Sequence, residues 1–285
     1  MAGVSVIIVS YFTGAPLLDC LNAARADPAV RDCIIVDNGN PLDVARQLPN
    51  YGDVLSGHGN VGFAAGCNLG ARHAGGDVLL FVNPDAVLAP GAVARIVRTL
   101  QSAPAPAIVG GRLVDASGLE QRGSRRDQLT LWCAFVTFTG LSRFERLSAR
   151  LRDMDRSRDP LPAEAIEVGA ISGALLAMRR VDFEALGGFD EGYFLHVEDL
   201  DLCRRCHDAG GVVLFEPRAH ARHVGASSAA SPAFIARCKA RGFARYFRKF
   251  ARGPLEGAIA SLIGAILEFI LPLRAACAPP RPAPR

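Results

Sequence analysis

The segment FLHVEDLDLCRRCHDAGG, residues 194–211, concentrates the side chains of this chain that could do chemistry. Three acids come first, and two cysteines and a histidine follow: Glu198, Asp199, Asp201, Cys203, Cys206 and His207. The acids could hold a metal or act as a general base, and a C-x-x-C pair could bind zinc or cycle as a disulfide. A metal site, a redox pair and a general base each require different additional residues elsewhere in the chain.

The two cysteines are better interpreted as core or surface thiols. A zinc site requires four ligands, and no second C-x-x-C or H-x-x-x-H lies at a suitable spacing. A redox pair occupies a helix N-terminus after a strand. Cys203 and Cys206 instead fall within a predicted helix, behind acids that would raise their pKa values. The general-base interpretation of the acids therefore remains.

Polar residues also follow three of the predicted strands, where open α/β sheets bind their ligands. These residues are Ser10-Tyr11, Asp37-Asn38 and Asn83-Pro84-Asp85. Asp85 suits a Mg²⁺ or Mn²⁺ ion whose coordination shell is completed by substrate phosphates. Asp37 suits hydrogen bonding to a base or a ribose. A local alternative exists for each residue, an Asx turn at Asp85 and a turn with Gly39 in the left-handed region at Asp37.

Two further features could contribute to a binding site. The glycine-rich run GNVGFAAGCNLGAR at 59–72 enters a predicted helix, and its N–H groups could face phosphate or sugar oxygens. His223 follows a predicted strand and could ligate a metal, although a lone histidine is more often a hydrogen-bonded structural residue. The absence of G-x-G-x-x-G after the first strand, and of G-x-x-x-x-G-K-[ST] anywhere, disfavours a dinucleotide fold or a P-loop.

The elements that position these residues alternate between strands and helices in the first half of the chain. Apolar, β-branched runs such as VSVIIVS at 4–10 predict buried parallel strands. Predicted strands cover 4–10, 33–38, 53–57, 77–83 and 107–115, and predicted helices cover 16–26, 41–48, 61–75 and 90–100. This alternation indicates an α/β fold with a mostly parallel sheet flanked by helices.

The second half of the chain has a less regular pattern. An Arg-rich stretch at 123–165 carries a predicted helix near 143–155. The later predicted elements are a strand at 171–180, a helical turn at 181–191, a helix at 198–209, a strand at 212–217 with 219–224 as its hairpin partner, and a long helix at 232–252. The Pro-rich tail at 279–285 is predicted to be disordered.

Charge and cysteine usage constrain the partners and the compartment. With 285 residues, 50% of them apolar, the chain can bury the core of one large domain or two small ones. The stretch 217–255 holds nine Arg or Lys and no acid, which favours an anionic partner: nucleic acid, a membrane surface or a phosphorylated substrate. Several of the eight cysteines fall in apolar runs, and no basic n-region opens the chain. We therefore expect reduced thiols in a cytoplasmic protein.

The basic C-terminal region has an amphipathic pattern. In the helix at 232–252, Phe243, Phe247 and Phe250 recur on one side, and basic residues fill much of the rest. The apolar segment at 255–273 has a longest uncharged run of 11 residues, which is too short to span a bilayer. We expect these helices to lie on the inner face of a membrane or to form a dimer contact. Packing on the main domain is the simpler alternative.

Seven segments of the chain occur in the order and spacing of a known family. They are SVIIVSYF, VDNG, GNVGFAAGCNLG, FVNPDA, SGALLAMRR, GGFDEGYFLHVEDLDLCRR and HVGASS, which lie between residues 4 and 228. Each segment is weak evidence alone, but together they resemble the family 2 glycosyltransferases of the GT-A fold, and most of all their rhamnosyltransferase-like branch. The resemblance implies an enzyme that transfers a sugar from a nucleotide diphosphate with inversion of the anomeric centre.

The resemblance also implies roles for individual residues. Asp37 would bind the base, Asp85 would hold Mg²⁺ or Mn²⁺ on the diphosphate with His223 as a second metal ligand, and Asp199 would be the general base. The donor side would further include Ser10, Tyr11, Asn38, Asn60, Gly62, Phe63, Asn68 and Asn83, and the acceptor side would include Gly173, His196 and Glu198. Asn83 stands where many relatives have the first Asp of a D-x-D pattern, and a neutral amide is a poorer metal ligand than a carboxylate.

Inverting transfer needs two acidic centres on opposite sides of one sugar. The acceptor hydroxyl attacks C1 opposite the leaving diphosphate and gives its proton to a carboxylate, and a metal neutralises the departing phosphates. Asp199 and Asp85 would supply these centres. Glu198 is placed with the catalytic residues because its charge next to Asp199 would raise the pKa of Asp199. Asp201 is interpreted as a first-turn residue favoured by the helix dipole.

The expected activity is transfer of L-rhamnose from dTDP-rhamnose to a glycan or lipid-linked glycan in cell-surface polysaccharide synthesis, with no nucleic-acid partner. Three alternatives remain: a UDP- or GDP-sugar donor such as that of galactofuranose, a non-catalytic binding module, and a nucleotidyltransferase. We expect 1–230 to form the catalytic domain, with a nucleotide-sugar half at 1–115 and an acceptor half at 116–230. Residues 231–278 would form a C-terminal helical extension, and a homodimer is compatible with it.

Overall fold

A computed structural model describes residues 3–223, 225 and 230–277 of the chain. The predicted disordered tail at 279–285 lies outside the described residues. The strands are β1 (Val4–Ser10), β2 (Val30–Asp37), β3 (Asp53–Leu55), β4 (Val78–Val82), β5 (Ala86–Leu88), β6 (Ala107–Val114), β7 (Arg125–Arg126), β8 (Ile166–Glu167), β9 (Ala170–Ile171), β10 (Leu175–Arg179) and β11 (Val212–His223). The α-helices are α1 (Ala15–Ala26), α2 (Leu42–Ala45), α3 (Phe63–His73), α4 (Ala92–Ser102), α5 (Leu131–Thr139), α6 (Arg180–Ala185), α7 (Glu198–Asp208), α8 (Pro232–Lys249) and α9 (Pro254–Cys277).

A nine-stranded sheet forms the centre of the molecule. Its strand order is β3-β2-β1-β4-β10-β6-β11-β5, and β8 pairs with β11 outside this path. Strands β3, β2, β1 and β4 run parallel to one another, and so do β6 and β11, whereas β10 lies antiparallel between β4 and β6. The predicted α/β class with a mostly parallel sheet flanked by helices is confirmed.

Both faces of this sheet are buried, which explains the continuous apolar strands. In β1, Ile7 and Val9 face a core that includes α3, α7 and α8. Val6 and Ile8 face a second core, which includes α1 and α4. Because successive side chains of a strand point to opposite faces, every residue of VSVIIVS is buried. The two cores hold the carboxyl ends of β1, β2 and β4 at one edge of the sheet.

The predicted hairpin of 212–217 and 219–224 is wrong, because its described residues form the single strand β11. This strand pairs in parallel with β6 on both sides of an irregularity between Glu216 and His220. Pro217 has no N–H to donate to the sheet, and the Arg218 N–H donates to the Glu216 carboxylate (3.0 Å). Because β11 continues instead of turning back, it carries His223 alongside β5, a strand that the sequence pattern did not predict.

The helix predicted near 143–155 is also wrong. That stretch contains only two short 3₁₀ turns, at Leu141–Phe144 and Ala149–Leu151. The helix of this region is α5, where LWCAFVTFT supplies an apolar run and the Thr130 hydroxyl caps it by accepting from the Cys133 N–H (3.1 Å). Arg152 of this segment forms an ion pair with Asp159 (2.5 Å) instead.

Helix α8 is part of the main domain. Its aromatic side, with Phe243 and Phe247, is buried in the core that also holds α7. Arg245 and Lys249 on its flank pair with Asp190 at 2.8 and 2.7 Å. The prediction that the aromatic side of this helix lies on a membrane or against a second copy is therefore wrong, and the simpler alternative of packing on the domain applies to α8.

Helix α9 is long and apolar. Over Pro254–Leu273 its mean hydropathy is 1.7, and by length and composition it could cross a membrane. The prediction that this segment is too short to span is wrong on those criteria, because the helix continues through the isolated Glu268 and through Pro272. The core helix of a soluble protein passes the same test, but only 17% of this stretch is buried.

Candidate functional site

Three backbone segments meet at the carboxyl edge of β4. The predicted strand at 171–180 is interrupted by a turn at residues 172–174, between β9 and β10. The Asn83 N–H donates to the Ala174 carbonyl of this turn (3.0 Å). The Gly173 N–H donates to Asp199 Oδ2 (3.1 Å), at the start of α7. These two bonds attach the loop that carries Asp85 and the helix that carries Asp199 to neighbouring residues of one turn.

The Asp199 carboxylate is held by an arginine that the sequence analysis did not identify. Arg126 Nη2 lies 2.6 Å from Asp199 Oδ2, and both side chains are only 12% exposed. Burial alone would raise the pKa of Asp199, but the Arg126 charge and hydrogen bonds from Arg126 and from the Gly173 and Leu200 N–H groups lower it below its usual value. Asp199 is therefore ionised at neutral pH, the state in which a carboxylate can accept a proton.

Glu198 has the opposite protonation behaviour. Its side chain is buried, and its Oε2 atom has no hydrogen-bond partner among the described residues. Burial, and then the charge of Asp199, raises the pKa of Glu198 to about 8. Glu198 was expected to raise the pKa of Asp199, but the net shift at Asp199 is downward, because Arg126 and the hydrogen bonds outweigh the causes that raise it. A protonated Glu198 avoids two adjacent buried charges.

A strained turn aims Glu198 and Asp199 into the site. His196 and Val197 both adopt left-handed backbone conformations, with φ of 68° and 77°. This conformation is rare for residues with a side chain, and for a β-branched one such as Val197 it is a strain that the surrounding structure must hold. Gly242 of α8 packs against this turn, since a Cβ there would lie 2.9 Å from Val197 Cγ2 and 3.1 Å from the His196 carbonyl oxygen.

The predicted acceptor-side residues Gly173 and His196 lie close to Asp199. A Cβ at Gly173 would lie 3.4 Å from the Cβ of Asp199 and 3.5 Å from Phe63 Cε1, so glycine leaves space between these side chains. Burial, and then the charge of Lys239, lowers the pKa of His196 to about 4. His196 is therefore a neutral imidazole at neutral pH. The acceptor-side roles themselves remain predictions.

The predicted metal ligands Asp85 and His223 are brought together by β5 and β11. The register of these strands pairs His223 with Ala86, the residue after Asp85. As a result, His223 Nε2 lies 3.1 Å from Asp85 Oδ1 and 3.3 Å from the Asn83 side-chain nitrogen. On the other side of the ring, His223 Nδ1 lies 2.7 Å from Gln121 Oε1.

The donor atoms of this pair fit a hard divalent cation. Gln121 Oε1 can only accept, so His223 Nδ1 carries the proton, and in a neutral ring Nε2 then presents a lone pair to the Asp85 carboxylate. Two facing acceptors are stabilised by a cation between them, either a proton or a metal ion. No group of three or more His, Cys, Asp or Glu side chains among the described residues could hold a metal. Mg²⁺ and Mn²⁺ need few protein ligands when phosphates and water complete the shell.

The predicted donor-side residues after β1 and β2 form one hydrogen-bonded cluster. Asp37 Oδ1 accepts from the N–H groups of Gly39 (3.0 Å) and Asn40 (2.9 Å) and so forms a local turn in which Gly39 has a positive φ of 123°, and the second oxygen of Asp37 has no bond to the turn. Ser10 is buried and donates to Asn40 Oδ1 (3.0 Å). The Tyr11 ring lies beside Gly39, with its nearest atom 3.7 Å from the position of a Cβ there.

The glycine-rich loop is tied to this cluster and to the turn before α7. The buried Asn38 amide donates to the Gly62 carbonyl (3.0 Å), and Asn60 Oδ1 accepts from the Gly62 N–H (3.0 Å). The Phe63 N–H donates to the Phe194 carbonyl (2.7 Å). The N–H groups of Gly62 and Phe63 are therefore bonded within the protein and do not face a ligand, and the role expected for the other N–H groups of this loop stays a prediction.

The side chain of Asn68 serves the structure of a neighbouring loop. Its Oδ1 accepts from the Phe189 N–H (2.9 Å), and its Nδ2 donates to the Phe189 carbonyl (2.8 Å) and to Glu191 (3.0 Å). The sequence prediction placed this side chain along the donor. Both ends of the amide are already bonded, so the prediction gains no support from the structure.

The remaining polar residues of α7 support the fold. Cys203 and Cys206 are fully buried and free, and burial raises the pKa of each thiol to about 12. His207 Nε2 lies 3.2 Å from the Gly169 carbonyl. Asp201 is fully buried and binds the Tyr193 hydroxyl, Arg205 and Lys249. These contacts confirm that the cysteines are core thiols and that Asp201 is structural.

Two residues that orient the site were missed in the sequence. Arg126 belongs to the short pair β7–β9, and Gln121 lies shortly before it, outside the Arg-rich stretch at 123–165. Neither sits in a motif, and each meets its partner only through tertiary structure, across 73 residues for Arg126 and 102 for Gln121. The sequence offers no local signal for the burial of Arg126, because Arg125-Arg126 lies within the polar run EQRGSRRDQ at 120–128.

Comparison with known proteins matches this chain to one family and to named relatives. The model of the family described as Glycosyl transferase family 2 matches residues 5–184. The chain is 28% identical over 246 residues to N-acetylglucosaminyl-diphospho-decaprenol L-rhamnosyltransferase of Mycobacterium tuberculosis, covering 76% of this chain and 75% of the relative. It is 26% identical over 241 residues to the rhamnosyltransferase WbbL of Escherichia coli, covering 77% and 83%.

Solved structures share the fold at low sequence identity. GalNAc-T7, crystallised with UDP, GalNAc and Mn²⁺, has a TM-score of 0.58 at 16% identity, and the match covers 94% of this chain but only 54% of that one. The mannosyltransferase PcManGT of Pyrobaculum calidifontis, in complex with GDP-Man and Mn²⁺, has a TM-score of 0.55 at 17% identity, covering 96% and 72%. These matches confirm the predicted GT-A fold.

Proposed function

Because the chain belongs to glycosyl transferase family 2, we propose that it transfers L-rhamnose from dTDP-rhamnose to a glycan or lipid-linked glycan, with inversion at the anomeric carbon. Two relatives that match over three quarters of the chain are rhamnosyltransferases by name, which supports this donor. The name of the mycobacterial relative specifies N-acetylglucosaminyl-diphospho-decaprenol, which supports a polyprenyl-diphosphate-linked acceptor in the synthesis of a surface polysaccharide.

One observation carries the proposal. The ionised carboxylate of Asp199 accepts a hydrogen bond from Gly173, and Asn83, in the loop that carries Asp85, donates to Ala174 of the same turn. Asp85 in turn lies 3.1 Å from His223, and this pair could bind a cation. Inverting transfer requires a base on the acceptor side of the sugar and positive charge on the diphosphate side. A protein that only bound the nucleotide sugar would have no use for the first of these groups.

In the proposed reaction, Asp199 accepts the proton of the acceptor hydroxyl. The bond between that oxygen and C1 of the sugar forms as the bond between C1 and the diphosphate oxygen breaks, and the electron pair leaves with the nucleoside diphosphate. Arg126 and the Gly173 N–H hold Asp199 Oδ2, whereas Oδ1 accepts one hydrogen bond, from the Leu200 N–H (2.8 Å), so we assign Oδ1 as the oxygen that takes the proton. The neutral state of Glu198 keeps a second negative charge away from the attacking oxygen.

Asp85 and His223 would hold a Mg²⁺ or Mn²⁺ ion, and Gln121 would fix the ring of His223. When bound, this ion neutralises the charge that develops on the departing diphosphate. Asn83 stands beside the pair as a neutral donor. The protein would therefore contribute one carboxylate, that of Asp85, and one imidazole, that of His223, as ligands.

The nucleoside is proposed to bind at the ends of β1 and β2. Asp37 is half-buried there, with one carboxylate oxygen free of the turn and able to accept from the base. Tyr11 lies next to it, over Gly39, and offers an aromatic face. This arrangement is compatible with a pyrimidine nucleotide and does not select the sugar.

The test is a donor screen followed by product analysis. The purified chain is heated with dTDP-rhamnose, UDP-galactofuranose, UDP-GlcNAc or GDP-mannose, with and without Mn²⁺, because a ligand that binds the native state raises the Tm. We expect the largest rise with dTDP-rhamnose and Mn²⁺, and inverted stereochemistry in the product by NMR. A larger rise with another donor would reject the rhamnose assignment, and retained stereochemistry would reject the single displacement.

A further inference from the structure

Helix α9 presents a continuous apolar side to solvent. Its exposed members recur every three or four residues and are 38–75% exposed: Leu255, Ile259, Leu262, Ile266, Phe269, Ile270 and Leu273. Residues at this spacing lie on one side of a helix. A soluble surface seldom carries an apolar patch of this length unless something covers it.

The opposite side of α9 is fixed to the protein. Ala260, Gly264 and Leu267 are buried. Gly264 meets α8 so closely that a Cβ there would lie 2.7 Å from the Cβ of Ala244. The exposed side of α9 is thus held in place by helix packing, as part of the surface of the folded domain.

A strip of basic side chains on α8 runs beside this apolar side. Arg237, Arg241 and Arg248 are exposed, and no ion pair is found for them among the described residues. Arg241 and Arg248 lie three and four residues from Ala244, so they share its side of α8 and flank the contact with α9. Arg245 and Lys249, by contrast, are used internally by Asp190.

An aromatic pair extends the same surface beyond α9. Trp132 and Phe135 on α5 are 53% and 49% exposed, and their rings pack together at 5.7 Å. Trp132 lines a cavity of about 280 Å³ together with Arg252 and Glu256, which flank the start of α9. The start of α9 and the exposed aromatics of α5 therefore lie on one side of the molecule. Tryptophan with one apolar end and one polar end suits the boundary between lipid and water.

We propose that this surface docks on an anionic lipid bilayer. The α9 side chains enter the boundary between headgroups and acyl chains, and Arg237, Arg241 and Arg248 bind the anionic headgroups. This inference goes beyond the transfer reaction and does not depend on it. The apolar side of α9 would face the lipid because it is exposed, whereas the aromatic side of α8 is buried in the core.

The basic strip of α8 favours an anionic lipid surface over a second copy of the chain as the partner that covers the apolar side of α9. Two copies of the chain that paired along α9 would bring two strips of unpaired arginines together, which is unfavourable, whereas an anionic surface neutralises them. A membrane-spanning α9 would have to leave α8, losing the close packing of Gly264 on Ala244, and would take Glu268 into the hydrocarbon core.

The experiment is flotation of the full-length chain with vesicles of phosphatidylcholine, with or without phosphatidylglycerol. We expect binding to the mixed vesicles that weakens with added salt. Leu262→Glu/Phe269→Glu should abolish it, while the matched variant Leu119→Glu/Val181→Glu, at equally exposed apolar positions away from α8 and α9, should bind as wild type does. Thermal melts check that all variants fold.

A second pair of variants tests the basic strip. Each basic residue near an anionic surface contributes a factor of about five, so Arg237→Gln/Arg241→Gln/Arg248→Gln should weaken binding on the order of a hundredfold. Arg46→Gln/Arg95→Gln/Arg98→Gln, which removes the same charge from exposed sites elsewhere, should have little effect.

Three results would overturn the proposal. One is a wild-type chain that does not float with anionic vesicles. Another is a wild-type chain that forms a dimer in solution and does not bind vesicles, with the dimer dissociated by Leu262→Glu/Phe269→Glu. That result would make the surface a contact between two copies of the chain. The third is a protein that alkaline carbonate cannot extract from native membranes, which would make α9 a span.

Discussion

Arg126 controls the chemistry of the site through Asp199. It forms a buried ion pair with the carboxylate that we propose as the base, and it lowers the pKa of that carboxylate against the effect of burial. A base that is ionised well below neutral pH is always available, but it is also weak. The neutral Glu198 beside it completes a pair of carboxyl groups with pKa values pushed apart, a pattern common in sites of acid–base chemistry.

Removing the charge of Arg126 should shift the pH dependence of the reaction. Burial raises the pKa of Asp199, and the charge of Arg126 lowers it. Arg126→Gln removes that charge, so we expect the pKa of Asp199 to rise. Because only the ionised form accepts a proton, the acidic limb of the kcat/KM profile should move to higher pH, and Arg126→Lys should restore part of the difference. Arg122→Gln is the matched control, because this arginine of the same segment is 63% exposed. An unmoved acidic limb in Arg126→Gln would show that Arg126 only supports the fold.

Asn83 should set the affinity for the divalent ion. Its side-chain nitrogen lies 3.3 Å from His223 Nε2, so a carboxylate at the same place would add a charged ligand. We expect Asn83→Asp to bind Mn²⁺ more tightly, on the order of tenfold, because affinity rises with the number of charged ligands. Titration of Mn²⁺ by thermal shift and by activity measures this change. Weaker binding in Asn83→Asp would place the ion away from Asn83.

At the scale of elements, the turn before α7 and helix α8 act together. The left-handed His196 and Val197 direct Asp199 toward Gly173, and α8 packs on them through Gly242. The sequence pattern predicted the basic helix α8 to be a surface element. Its larger contribution in the structure is to hold a strained turn next to the proposed base.

Gly242→Ala should therefore reduce activity more than stability. The added Cβ would meet Val197 Cγ2 at 2.9 Å, so the turn has to shift. A displacement of about 1 Å in a catalytic group can cost about a hundredfold in rate, and we expect a loss of kcat on that scale with a small change in Tm. Gly253→Ala is the control, because no atom lies within 4 Å of its added Cβ. A Gly242→Ala variant with wild-type kcat would contradict a positioning role for α8.

At the scale of the whole molecule, the sequence predicted the strands and the strand-end residues, which depend on local residue patterns. Apolar runs such as VSVIIVS indicated buried strands, and the strand ends indicated Asp37, Asp85 and the crevice they share, because side-chain periodicity and parallel pairing are local rules. The pairing of Asp85 with His223 was implied by the family resemblance and not by the strand pattern, and the two side chains lie 3.1 Å apart in the structure.

The sequence could not predict what depends on tertiary partners. The continuation of β11 past Pro217 is decided by its pairing with β6, and the ion pair of Arg126 is decided by the short pair β7–β9. The direction of the pKa shift at Asp199 depends on that distant arginine and not on the adjacent Glu198. The face that α8 buries is likewise decided by the core beneath it.

Asp199 is the proposed proton acceptor in sugar transfer. The most direct test is the turnover of Asp199→Asn with dTDP-rhamnose and a polyprenyl-diphosphate-linked acceptor, alongside the Tm shift that the donor causes. We predict that kcat falls by roughly 10²–10⁴-fold, the usual contribution of a general base, while the donor-induced Tm shift is unchanged. Full turnover by Asp199→Asn would contradict the account.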